Sequence, residues 1–492
     1  MPNTQIKSKQ LLPETATIAQ DQPAQQSSTK KNKYSLPLVF VVAFIINYVL
    51  MGLNRYGYTL PVPISVHAEL CYVVLLIYGF SHSAQWGTKA GRAFGTMTGI
   101  YLVWTFYSAL EAINMSSEIG FVTILTSWLA EFRTMTLQVF WVFMINSLFF
   151  YHKDQLTSLF KLWGWLTLIA VGWALRQQFG GFDRTEWIWL LAIGMKTHFV
   201  NGIIRYFSFF TDAANYGCCM AATACIYGAL FLTTTSSKRN KWFYGIVCAA
   251  SIYGMMASGS RSAIFVLGAG LVAYCALSKR VATIVTTGVL GGLFIGMLAF
   301  TQIGQGNAMI RRMRSAFDKD DNSLAVREIN KAAMERYIDE KPFGLGAGIR
   351  GGDVPPTNKN HYLATVAPDS TWVYVNIHYG HLGLFIFLLS YGGMIAVGST
   401  VVLFRLKDKE LSGMMAGLVA GAFAMLIAGY ANQIMLQFPN CWLFFGNLSL
   451  VMLALDIDRQ LLEEKARAEN EAFIEEQKQA AESIYPLERL RA

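Results

Sequence analysis

Arg133, Arg176, Arg184, Arg205 and Arg261 stand at the edges of apolar runs on a side of the chain where Lys and Arg are otherwise scarce. A guanidinium stays charged and grips phosphate oxygens through a planar fork, whereas a lysine acts as a point charge. Arg261 is the sharpest case, because SGSRSAIF leaves almost no loop between two apolar stretches. A lone cation within a span costs roughly 2.5–3.5 kcal/mol on insertion scales, so an anion should meet it. Snorkelling to lipid headgroups, or capping of the preceding helix, would also account for it.

A second group of residues able to do chemistry lies between about Gln302 and Ser370, nearly seventy residues that leave the apolar pattern. Ordered segments of that length between helices usually carry function. The residues from Ser323 to Tyr337 predict a helix, started at Asn322/Ser323 and stopped before Pro342. Arg327, Lys331 and, less directly, Arg336 recur at near-helical spacing and give a basic face, while Glu328, Glu335, Asp339 and Glu340 would neutralise it if the helix is merely solvated. Asp318–Asp321, DKDD, has the composition of a carboxylate metal motif, but loop acids are usually solvated and no metal is expected. PFGLGAGIRGG, with Arg350 near its end, would let backbone N–H groups approach a phosphate, or form a tight turn. It does not lie between a strand and a helix as a nucleotide-binding fingerprint must. Asp369 and Ser370 then fall at the outer mouth of the next helix, where an ionisable Asp suggests a site and both residue types also suit an N-cap. His361, His378 and His381 lack a ligand constellation.

The elements that must position these residues are helices in a bilayer. Over 492 residues, 54% are hydrophobic and 14% charged, which is not a soluble composition. Runs of about spanning length recur near 36–53, 66–80, 93–113, 134–150, 157–175, 212–235, 242–257, 263–277, 282–302, 380–404, 411–432 and 438–455. The pattern predicts an all-α polytopic membrane protein of about twelve transmembrane helices with one large periplasmic loop. Its parts are a disordered cytoplasmic tail at 1–35, nine helices over 36–302, the loop at 303–370, three helices over 371–455 and a charged cytoplasmic tail at 456–492. The opening residues have neither the apolar core nor the small-residue cleavage site of a signal peptide. Lys30, Lys31, Lys33, Lys89, Arg92, Lys153, Lys238, Arg239, Lys241, Lys279, Arg280, Arg405, Lys407 and Lys409 all fall on one side, which the positive-inside rule assigns to the cytoplasm. The segment 187–204, with Lys196, His198 and Arg205, is a poor span and is expected as an interfacial or re-entrant helix outside. The net charge of +9 is spent on orienting helices, so nucleic acid is not an expected partner. The seven cysteines form no CxxC and read as packing residues.

RYFSFFTDAANYG, SGSRSA, the Arg-led outer helix running into KPFGLGAG, and DSTWVYVNIHYGHLG follow one another in order between Arg205 and Phe387. Together they resemble the O-antigen ligase and O-antigen polymerase superfamily, membrane enzymes that use undecaprenyl-pyrophosphate-linked glycans. The last segment is similar to the ligase signature of His, a small polar residue, nine residues, Gly, two residues and Gly. Ser370, Gly380 and Gly383 keep that spacing, and Asp369 replaces the His. The resemblance implies a GT-C-like fold in the bacterial inner membrane with its active site on the periplasmic side, and glycan transfer without cofactor or metal. It implies Arg261 and Arg327 as the functional arginines and Asp369 at the position of the His, with Arg205, Asp212, Asn215, Arg336, Arg350 and Ser370 as further substrate-binding residues. The His-to-Asp change favours polymerisation of repeat units over ligation to a lipid core or protein. The implied partners are the lipid-linked oligosaccharide, an acceptor glycan, the bilayer and other polysaccharide-assembly proteins. A precursor transporter or flippase is the rival from another class. It would be expected to show broken or charged helices in corresponding positions of two halves, and Glu111, near a helix end, is the clearest intramembrane acid.

Overall fold

The computed structural model describes residues 35–55, 64–82, 99–114, 128–200, 202–317, 322–346, 363, 366 and 368–484. The expected tail before residue 35, the charges Lys89 and Arg92, Asp318–Asp321, Arg350 and His361 lie outside these residues.

Over the described residues every apolar run becomes a helix, because only a helix pairs its own N–H and C=O groups where no water can. In order these are α1 (Leu38–Arg55), α2 (Ile64–His82), α3 (Gly99–Ile113), α4 (128–149), α5 (Lys153–Gly180) and α6 (184–198). A short hairpin follows, β1 (Phe199–Val200) and β2 (Ile203–Ile204), pairing Phe199 with Ile204 and Val200 with Ile203. Then come α7 (Ala213–Thr233), α8 (Lys238–Ala257), α9 (Arg261–Leu277), α10 (Val281–Phe300), α11 (Ala308–Arg314) and α12 (Asn322–Ile338). The chain closes with α13 (Thr371–Arg405), α14 (Lys409–Ala431) and α15 (440–484). Among the described residues, α5, α7, α10, α13 and α14 are long and apolar enough to cross a membrane, and α1, α2, α3 and α9 contain shorter apolar helices. The protein is thus an all-α, multi-pass membrane protein.

The centre of the body is α7 against α8, α9 and α14. The sequence of α7, AANYGCCMAATACIYGALFLT, is built of small side chains, which let helices approach closely where lipid supplies no hydrophobic drive between them. A Cβ on Gly417 of α14 would lie 2.7 Å from Ala229, and one on Gly270 of α9 would lie 2.5 Å from Cys225. By contrast α10 leaves Val285, Val289 and Leu293 exposed and faces lipid.

Three boundaries differ from the apolar pattern. Helix α4 begins at 128 rather than 134, which draws Glu131 and Arg133 into it. Helix α13 begins at Thr371, nine residues before Gly380, where the backbone turns to φ 68° and ψ −176° inside the helix. The last apolar helix runs without interruption into its charged continuation, whose residues 463–480 are exposed. The loop helix forms at Asn322–Ile338, within one residue of expectation at each end, whereas of 187–204, expected as one helix, only the part up to His198 is helical and Phe199–Val200 pairs with Ile203–Ile204 as the hairpin.

Candidate functional site

The turn Ser258–Gly259–Ser260 joins α8 to α9 and places Arg261 at the first position of α9. Gly259 adopts φ 57°, a left-handed conformation that glycine takes without a Cβ penalty. The turn is tied internally: Ser258 Oγ donates to Met255 O at 2.6 Å, and Ser260 N–H donates to Ser258 Oγ at 3.1 Å. The absent Cβ makes room for two more arginines, since an atom there would lie 3.1 Å from Arg205 Cγ and 3.4 Å from Arg312 Cγ. Arg205 donates from Nε to Ser258 O at 3.3 Å and from Nη1 to Thr197 O at 2.8 Å. Arg261 Nη1 donates to Ser315 O at 3.5 Å, beside the end of α11. Arg205, Arg261 and Arg312 are therefore gathered on one three-residue turn. Arg312 lies in the run MIRRMR, and nothing in that run separates it from its neighbours. It is 6% exposed, whereas Arg311 is exposed and donates to Gln305 O.

The segment from Arg205 to Gly217 locks onto the same turn. Tyr206 N–H donates to Ala257 O at 3.2 Å, and a Cβ on Gly217 would lie 2.2 Å from Ser258 Oγ. Asp212 caps α7, its Oδ1 accepting from Ala214 N–H at 2.6 Å and Asn215 N–H at 2.8 Å. Asn215 is fully buried; its Nδ2 donates to Thr211 Oγ1 at 2.7 Å and Gln437 Oε1 at 2.5 Å, and its Oδ1 accepts from Asn440. These bonds tie α7 to the connection between α14 and α15.

The other end of that connection holds the mouth of α13. Thr371 N–H and Oγ1 both donate to Asn432 O, at 3.4 and 3.1 Å. Ser370, not Asp369, is the N-cap: its Oγ accepts from Trp372 N–H at 3.1 Å and Val373 N–H at 3.3 Å, and donates to Gly429 O at 3.0 Å. Asp369, half-buried, sits one residue earlier at φ 50°, in a region that non-glycine residues adopt at a cost. Its Oδ2 accepts from Asn330 Nδ2 of α12 at 2.9 Å. Residue 327 precedes Asn330 by three and the buried Met334 by seven, which puts its position on the stripe of α12 that faces this mouth. The Arg327 side chain lies outside the described residues. Lys331, on the same stripe, sits 5.7 Å from the centre of the Tyr430 ring at the end of α14. Tyr430, against the opposing effect of burial and with Glu335 and Glu328 adding to it, holds the Lys331 ammonium above the ordinary lysine range. Arg336 is exposed on the other side of α12.

Helix α12 is fixed there by the turn that follows it. Pro342–Gly346 docks against the break in α13: Leu345 N–H donates to Ile377 O at 2.9 Å and Leu382 N–H to Pro342 O at 3.4 Å. A Cβ on Gly380 would lie 2.1 Å from Pro342 O, and one on Gly344, at φ 80°, would lie 2.5 Å from Gly380 N. Both glycines thus permit contact between backbones, and the turn satisfies groups that the break exposes. Met334, Ile338, Leu345, Leu363, Val366 and Ile377 form a separate small core over the first half of α13.

One helical turn below the mouth, Tyr374 OH donates to a Glu131 oxygen, and His378 Nδ1 donates to Tyr374 O at 2.8 Å. Glu131 is 2% exposed and His378 fully buried. The apolar pattern begins α4 at 134 and leaves Glu131 outside it. The other outer arginines are engaged elsewhere: Arg133 pairs with Glu69, and Arg176 Nη2 lies 2.6 Å from Glu186 and 3.6 Å from Asp183. Arg184 is exposed.

Residues 246–388 match the family described as O-antigen ligase. The matched stretch begins in α8 and ends in α13. It thus contains the arginine turn, α11, α12, Asp369 and the break at Gly380. No curated protein matches the chain.

Proposed function

We propose that this chain, whose residues 246–388 match the O-antigen ligase family and support a place in the O-antigen ligase and polymerase superfamily, transfers a glycan from undecaprenyl pyrophosphate to an acceptor sugar hydroxyl, extending a surface polysaccharide repeat by repeat. The observation that carries this reading is the arginine turn of Arg205, Arg261 and Arg312, linked through α7 and the Asn432–Asn440 connection to Asp369 on the same face of the body. The bond that breaks joins the sugar's anomeric carbon to the pyrophosphate oxygen, and negative charge grows on that oxygen. Preorganised guanidinium groups oppose such charge most effectively where water is sparse. Arg261 and Arg327 take this role, with Arg205 holding the donor. The new bond forms from the acceptor oxygen to the anomeric carbon, and the acceptor's proton passes to the Asp369 carboxylate. Asp369 is suited to this role by its half-buried position, the Asn330 bond that orients one oxygen, and a backbone held in an unfavourable region. Arg350 would border the donor or acceptor sugars, Ser370, Asp212 and Asn215 would hold the surrounding frame, and Arg336, on the other side of α12, falls outside the site.

In this reading about twelve helices cross the bacterial inner membrane in a GT-C-like arrangement, with both termini cytoplasmic and the site in the periplasm. The charge opposing pyrophosphate comes from arginine, so the step as written uses no metal. A deletion strain restored with wild type, Arg261→Ala, Arg327→Ala or Asp369→Asn at matched membrane levels tests the assignment on a gel of surface glycans. Loss of the ladder, with single repeats still attached to their final acceptor, is the result expected of a polymerase. Loss of all attached glycan while lipid-linked chains accumulate would identify a ligase. A normal pattern from all three variants would remove the catalytic site and leave a transporter or structural component.

A further inference from the structure

The opposite face of the body carries a cavity of about 380 Å³ between the end of α9, the start of α10 and the connection from α13 to α14. Lys279, Arg280, Lys407 and Lys409 all line it. It lies at the far end of α9 from Arg261, a helix of 17 residues and so about 25 Å away. The positive-inside rule explains why basic residues occur on this face, but it does not require two separate connections to aim theirs at one hollow.

The hollow is built rather than incidental. Buried Asp458 of α15 accepts from Lys407 N–H at 3.0 Å and Asp408 N–H at 2.8 Å, which fixes the backbone that carries Lys407 and Lys409. The acids nearest in sequence are committed elsewhere: Asp408 to Lys465 at 2.7 Å, and Glu410 to Lys153 at 2.9 Å and Ser236 at 2.9 Å. Among the described residues, none of the four cavity cations has a carboxylate within 4.0 Å. Arg280 is the N-cap of α10 without a side-chain cap bond, so the first N–H groups of a 20-residue helix open near the same place. The walls are apolar at Leu277 and Leu406, and α10 leads from the hollow along a lipid-facing surface.

We propose that this cavity binds the phosphate-bearing headgroup of an anionic membrane lipid, with the acyl chains lying along α10. Clustered cations between helices at the membrane boundary recognise such headgroups, and the apolar wall favours a lipid over a soluble phosphate. The site is separate from the glycan-transfer site and does not depend on that reading.

The test uses the full chain in nanodiscs, with retained lipid measured by native mass spectrometry. Phosphatidylglycerol should be retained over phosphatidylcholine. Replacing two of the cations together, Lys279→Ser with Lys407→Ser, should weaken that retention by about thirtyfold. Lys238→Ser with Arg239→Ser removes the same charge from the same face outside the cavity and should leave retention near wild type. Lys279→Arg with Lys407→Arg keeps the charge and should retain the lipid, which separates loss of the site from loss of the fold. Equal loss in the cavity and control pairs would reduce the effect to diffuse surface charge and overturn the site. Displacement of phosphatidylglycerol by glycerol phosphate or inorganic phosphate at matched concentration would overturn the lipid assignment.

Discussion

Gly380→Ala isolates the docking of the Pro342–Gly346 turn from everything else in α13. The added Cβ would fall 2.1 Å from Pro342 O and 2.3 Å from Gly344 N, both backbone atoms that no rotamer change can move. Alanine at φ 68° and ψ −176°, a region taken almost only by glycine, also adds about 1–3 kcal/mol of backbone strain. If the turn lifts away, the Leu345–Ile377 and Leu382–Pro342 hydrogen bonds are lost, at about 0.5–1.5 kcal/mol each. Those two bonds, about 1–3 kcal/mol together, oppose undocking, while the strain and the backbone overlaps at 2.1 and 2.3 Å oppose docking; the overlaps cannot be relieved in place, so the turn and α12 stay undocked in a large share of molecules. Limited proteolysis in nanodiscs should then cut between α11 and α13 much faster than in wild type, and transfer should fall with it. Gly392→Ala is the control, since a Cβ there meets nothing within 4 Å on the same helix. A Gly380→Ala protein with wild-type protease resistance and activity would refute the argument that this contact holds α12 over Asp369.

Asn330→Ala, which removes the bond to Asp369, should reduce kcat several-fold with little loss of thermal stability, measured on purified enzyme against Asp369→Asn. Gly217→Val should disturb the arginine turn through Ser258, 2.2 Å from the added Cβ, and lower donor affinity more than a Gly228→Ala control on the same helix, whose Cβ meets only Cys248 Sγ at 3.5 Å. Burial alone would raise the Asp408 carboxyl, but the Lys465 hydrogen bond, the Leu411 N–H and Lys153 outweigh it and hold it below its ordinary 3.8. A lowered carboxyl contributes stability that is present above about pH 3.8 and is lost as pH falls through the lower folded value. Thermal scans in detergent should therefore show wild type losing melting temperature below that pH, with Asp408→Asn, which keeps the cap but loses the charge facing Lys465 and Lys153, less stable at neutral pH by about 0.5–1 kcal/mol and flatter in acid.

Much of this arrangement can be read from residue order. The apolar runs mark the helices because the bilayer forces backbone pairing within each segment, and the loop helix is bounded by its own cap and proline. Gly380 was legible as half of a spaced signature, but the sequence gives no reason for it. The reason is a partner turn reaching it from residues 342–346. The apolar run starts this helix at Gly380, whereas α13 begins at Thr371 and tolerates the break at Gly380 because that turn satisfies it. Arg312 and Glu131 were not legible. Arg312 is chosen from MIRRMR only by the rotation of a seven-residue helix against Gly259, and Glu131 is drawn into α4 by a hydroxyl from Tyr374, 243 residues away. Contacts of that range leave no local pattern. Ser370 and Asp369 are equally good caps by type, and only the direction of the chain at Asn432 decides between them.

The central claim is that the arginine turn and Asp369 serve one transfer reaction, and purified protein in nanodiscs given a lipid-pyrophosphate glycan and an acceptor glycan tests it directly. Wild type should yield longer lipid-linked chains with release of undecaprenyl pyrophosphate, while Arg261→Ala and Asp369→Asn each lower kcat by at least about a hundredfold and Arg205→Ala chiefly raises KM for the donor. Chain extension at the wild-type rate by Arg261→Ala and Asp369→Asn, in protein of unchanged thermal stability, would contradict it.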